Sequence, residues 1–105
     1  MSSTEKVAEK VAEIIKVLRE TLLRGMYGSR DGERAAVVET LREIARILST
    51  ANSGLWPLIT EDDVIHVEFH DSDMYVYLRN GGVYKVEKLH EEKYTLDYRR
   101  VVECI

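Results

Sequence analysis

The chain has 105 residues, 45% of them hydrophobic, with a net charge of −4. That length suits one domain spanning 1–105, and the apolar content excludes an intrinsically disordered chain. A single cysteine, Cys104, excludes a disulfide scaffold and reads as a small buried hydrophobe in a reducing compartment. No stretch approaches the roughly 18 apolar residues of a membrane span. The opening Met1–Lys6 carries no hydrophobic signal region. The expectation is a cytoplasmic protein with no membrane partner.

Two further features of composition matter. Gln is absent and Asn occurs only at Asn52 and Asn80, while Glu, Arg and Lys are abundant. Heat-labile amides are depleted in thermophiles, so this pattern points to a thermophilic source, archaeal or archaeal-viral. The charge is also uneven. Residues 1–51 carry nine basic and eight acidic groups, and residues 52–105 carry six and eleven. The second half should therefore repel phosphate backbones.

Val7, Val11, Ile14, Leu18 and Leu22 recur at helical spacing and predict a helix over about 4–24. Ser2 and Glu5 have the spacing of a capping box at its start, and Gly25 is a natural stop. The link Gly25–Gly32 holds three glycines and reads as a turn, with Asp31 as candidate cap for a second helix. Val37, Leu41, Ile44 and Leu48 predict that helix over about 33–51. So short a link favours an antiparallel helical hairpin. Asn52-Ser53-Gly54 ends it, and Leu55–Ile59 makes an apolar connector in which Trp56 reads as a plug between helices and sheet.

From Val64 the period becomes two, predicting strands over about 64–70, 74–79, 83–88 and 94–99. Paired residues share a sheet face, so the apolar pattern also predicts register. Ile65 should oppose Leu78, Val67 oppose Val76 and Phe69 oppose Met74, around Asp71-Ser72. A three-residue loop at Asn80-Gly81-Gly82 sets Leu78 against Tyr84. Val86 then meets Leu96, and Tyr84 meets Tyr98. The predicted fold class is α+β: an N-terminal antiparallel helical hairpin packed on one face of a C-terminal antiparallel β-meander of three to four strands. Function on the sheet falls to the other face.

Three constellations on this frame could carry chemistry. Tyr75, Tyr77 and Arg79 form an aromatic and basic row, with His66 and Glu68 as cross-strand neighbours. Tyr and Arg dominate protein interfaces, so these five residues are the candidate partner-binding surface. The leading expectation is a non-catalytic protein-interaction or regulatory module, a homodimer or an acidic protein binding a basic partner. Secondly, Arg24, Arg30 and Arg34 flank the glycine turn, where Gly25-Met26-Tyr27-Gly28 weakly resembles the Gly-x-x-Gly loop of a KH module. That resemblance implies a clamp on a nucleic-acid backbone, although the flanking helices depart from that module's strand context. Thirdly, His66, His70 and Asp73 are the candidates for a metal site in a small metal-dependent enzyme. Against catalysis, no serine or cysteine stands in a nucleophile-elbow pattern. No catalytic residue and no cofactor is assigned.

Overall fold

A computed structural model of the chain describes residues 3–26, 28–48, 59–89 and 93–100. The elements are α1 (Ser3–Leu23), α2 (Arg30–Leu48), a 3-10 turn (Glu61–Asp63), β1 (Val64–His70), β2 (Asp73–Leu78), β3 (Gly82–Lys88) and β4 (Tyr94–Arg100). The strands form one antiparallel sheet in the order β1-β2-β3-β4, with the helices packed on it. The fold is α+β, as its sequence periodicity predicts. The capping box at Ser2, the Trp56 plug and Cys104 lie outside the described residues.

The helix boundaries follow from backbone bookkeeping. α1 stops where Gly25 turns left-handed, at φ 65°. The Gly25 amide donates to Leu22 O at 3.1 Å and the Met26 amide to Thr21 O at 3.2 Å. These two bonds make a Schellman motif, which satisfies carbonyls the last turn would otherwise leave bare. α2 starts earlier than its apolar spacing implies. Its cap is Ser29, not Asp31: the Gly32 amide donates to Ser29 Oγ at 3.1 Å. Asp31 instead sits inside the first turn with Glu33, where negative charge favours the helix dipole.

One continuous core joins both layers. α1 contributes Ala8, Val11, Ile15 and Leu18, and α2 contributes Val37, Val38, Leu41 and Ile44. The sheet answers with Val64, Met74, Val76, Leu78, Tyr84, Val86 and Tyr94. At the far end of α2, Arg42 Nη2 donates to Ile59 O at 2.6 Å and ties the helix to the chain entering the sheet. The 3-10 turn is closed from within, because the Thr60 amide donates to Asp63 Oδ2 at 2.8 Å.

The sheet register agrees with the predicted one in two places and departs in two. Val67 opposes Val76 and Phe69 opposes Met74; Val86 opposes Leu96 and Tyr84 opposes Tyr98. Ile65, however, does not face Leu78. Val64 does, and a bulge between Val64 and His66 displaces Ile65, leaving it 52% exposed while Val64 is buried. The cause lies upstream. The Arg79 amide donates to Asp63 O at 2.8 Å, so pairing continues into the 3-10 turn and delivers Val64 to the core. The second departure is at the glycine loop, where Val76 rather than Leu78 opposes Tyr84. The loop between the strands is Arg79–Gly81, one residue earlier than expected, held by Gly81 N to Leu78 O at 3.0 Å and Gly82 N to Asn80 Oδ1 at 2.8 Å. A shift of two keeps every side chain on its predicted face.

Candidate protein-docking face

Alternation along β1 and β2 places His66, Glu68, His70, Tyr75 and Tyr77 together on the face away from the helices. Glu68 is the centre of the group. Its Oε2 lies 3.2 Å from His66 Nε2 and its Oε1 lies 3.1 Å from His70 Nε2. Tyr77, directly across on β2 from His66, donates its hydroxyl to Glu68 Oε1 at 3.4 Å. One carboxylate thus joins both histidines and a tyrosine. The His70 contact, then the His66 contact, holds the Glu68 carboxyl below its ordinary value.

The rings stack along the same ladder. His66 and Tyr77 have centroids 5.6 Å apart, and His70 and Tyr75 have centroids 5.1 Å apart. Both are tilted pairs of the kind aromatic quadrupoles favour. Tyr75 reaches over Lys85 to β3, donating to Glu87 Oε2 at 2.9 Å, with Lys85 Nζ 6.0 Å from the ring centroid. Val83 is buried at the same level of the sheet, opposite Tyr77. The tyrosines are therefore fixed at both ends, by ring contact and by hydroxyl anchor.

These anchors make the tyrosine hydroxyls reluctant acids. The Glu87 hydrogen bond, helped by partial burial, pushes Tyr75 up from 10.0 to about 12. Desolvation and the Glu68 charge push Tyr77 upward as well. A raised phenol favours the neutral folded form, so the Tyr75 contribution is complete below pH 10 and is lost as pH rises towards 12. NMR titration of the tyrosine ring carbons should show Tyr75 ionising near 12, and Glu87→Gln should return it towards 10. An unchanged Tyr75 titration in that variant would refute the anchor.

The predicted site residues fare differently. Tyr75, Tyr77, His66 and Glu68 are brought together, but Arg79 leaves the row and donates from Nε to Asp62 O at 3.1 Å. Among the described residues no three His, Cys, Asp or Glu side chains converge on one point. Asp73 pairs with His70 along the backbone, yet its Oδ1 accepts the Lys88 amide at 2.9 Å. His66 and His70 both turn towards Glu68. Arg30 and Arg34 stand around an open groove on the helix side of β1, joined by Arg19; Arg24 is not part of that groove. The position of Arg19 is set by a residue remote in sequence, because its guanidinium donates to the carbonyl of Asp71, 52 positions away.

No helix among the described residues is long and apolar enough to cross a membrane. The sequence matches no protein-family model, and neither curated proteins nor solved structures provide a match.

Proposed function

We propose that this chain is a non-catalytic protein-interaction module that docks a partner protein on the face of its sheet away from the helices. The observation that carries this reading is the pair Tyr75 and Tyr77. Their rings pack on His70 and His66, and their hydroxyls are anchored by Glu87 and Glu68. Pre-ordered aromatic side chains lose little further entropy on binding, which is what gives tyrosine its weight at interfaces. The face carries carboxylates at Glu68, Glu87 and Asp97 beside Lys85 and Arg99. That excess of acid disfavours a nucleic-acid backbone and suits a protein partner of basic or mixed charge. Catalysis has less support: of the Glu68 network His66 alone borders the groove beside β1, and its contact with Glu68 is solvent-exposed, whereas a reacting pair gains most where water is excluded.

Photo-crosslinking in the source cells tests the reading. A photoreactive residue at Asp97, on the face, is expected to give a defined adduct. The same residue at Glu43, exposed on α2, should not. Replacing both Tyr75 and Tyr77 with alanine should abolish the adduct, since interface hot spots contribute about 2 kcal/mol or more each. A chain crosslinked to itself at Asp97 would identify the partner as a second copy, the homodimer. Equal labelling from both positions, or no adduct at all, would sink the proposal.

A further inference from the structure

On the other side of β1, the helix ends leave an open groove of about 420 Å³. That volume lies within the range of sites that take a few side chains. Its floor is apolar: Leu22 of α1, Val37 of α2, and Val64, Val67 and Phe69 of β1. Two of its walls are apolar side chains left in solvent, Leu23 at 80% exposure and Ile65 at 52%. Exposed aliphatics beside an apolar floor are uncommon on a surface without a binding role. Among the described residues the rim is basic, with Arg19, Arg30 and Arg34 against the carboxylate of Glu33. This is a local positive excess on a chain whose net charge is −4. Arg19 is held in place by its 3.2 Å bond from Nη1 to Asp71 O.

A second, independent feature adjoins the groove. β1 is an edge strand, and among the described residues no strand pairs with its outer side. Proteins usually blunt such an edge with lysine, proline or a covering segment. Here the described edge carries only the bulge at Ile65. The same residues, Val64 to Phe69, supply both the free edge and one wall of the groove. Five residue steps at about 3.3 Å give a run of roughly 17 Å. An extended chain laid along it would hydrogen-bond to β1 and drop alternate side chains onto the floor.

We infer that this groove is a strand-addition site for an acidic extended peptide segment of a partner protein. Apolar side chains of the segment fill the floor, and carboxylates at its flanks meet the three arginines. Guanidinium groups bind carboxylates through paired hydrogen bonds, which makes arginine the fitting residue for such a rim. The groove opens on the helix side of β1, across the sheet from Tyr75 and Tyr77, and meets their face only at its rim, where His66 lines it.

The test uses the full chain and a synthetic, end-blocked peptide with valines at alternate positions and glutamates at both flanks. Fluorescence anisotropy is expected to show saturable binding, with β1 amides gaining protection from hydrogen exchange. Arg30→Ala combined with Arg34→Ala should weaken it at least about tenfold, as should about 0.5 M salt. Ile65→Glu, a change at an exposed position, should do the same without touching the core. Lysine in place of the flanking glutamates, or N-methylation of alternate peptide amides, should remove binding. Replacing Tyr75 and Tyr77 with alanine should leave it intact, which separates this site from the tyrosine face. Four outcomes would overturn the inference. They are no binding below millimolar peptide, equal binding of the lysine peptide, tighter binding of a single-stranded oligonucleotide at the same arginines, and self-association through β1 that Ile65→Glu disrupts.

Discussion

Leu41→Ala is expected to destabilise the domain by about 3 kcal/mol, within the 2–5 kcal/mol typical of buried leucine truncations. Leu41 is fully buried in the middle of α2, in the cluster where Val11 and Ile15 of α1 meet Met74, Val76 and Val86 of the sheet. Both layers contribute to this one core, so neither can close over the lost volume without moving the other. Close-packed interiors relax only partly, and the cavity adds to the lost transfer energy. For a domain of this size the loss corresponds to a fall in Tm of roughly 12–24 °C. Urea unfolding followed by circular dichroism measures it. Leu41→Met keeps the volume and should cost less than about 1.5 kcal/mol. If the two variants unfold at the same urea concentration, Leu41 is not the centre of the packing.

Gly82→Ala is expected to cost about 2 kcal/mol, although alanine is ordinarily harmless at a strand position with an allowed backbone. Gly82 is buried at the start of β3. A Cβ placed there would lie 2.6 Å from Cε1 and 2.7 Å from Cζ of Tyr98. The Tyr98 ring cannot retreat freely, because it packs against Tyr84 with centroids 4.8 Å apart. The ring thus covers a residue that has no side chain of its own, an arrangement that also pins the β3–β4 pairing. A double-mutant cycle separates this from a general glycine effect. In a Tyr98→Ala background the further cost of Gly82→Ala should fall below about 1 kcal/mol. An undiminished cost would place the strain elsewhere.

How much of the tyrosine face could be read beforehand depends on how local its causes are. The positions of His66, Glu68, His70, Tyr75 and Tyr77 on one face follow from period-two alternation alone, and a register slip of two does not disturb it. Glu87 shares that face by the same alternation, and the Tyr75 hydroxyl reaches past its paired residue Lys85 to meet it. The exit of Arg79 from the row was not legible. It depends on the Asp62 carbonyl, brought near only because pairing runs on past Val64 into the 3-10 turn.

The two helices followed by a meander were determined by the sequence itself. Apolar spacing of 3.6 and then 2.0, punctuated by Gly25, Gly28 and Gly81, leaves few other ways to bury these side chains in so short a chain. Tertiary structure decided what periodicity treats as equal. Registers two apart bury the same faces, so the hydrogen bonds of Asn80 and Gly81 chose between them. Val64 and Ile65 are equally apolar, so pairing from Asp63 to Arg79 decided which entered the core and which was left at the groove. The groove itself has no sequence signature, because it is made where Arg19, Arg30 and Arg34 of the helix ends come to stand over β1. Alternation is a property of neighbouring residues, whereas register, bulge and groove are settled by side chains and turns that meet only when the layers pack.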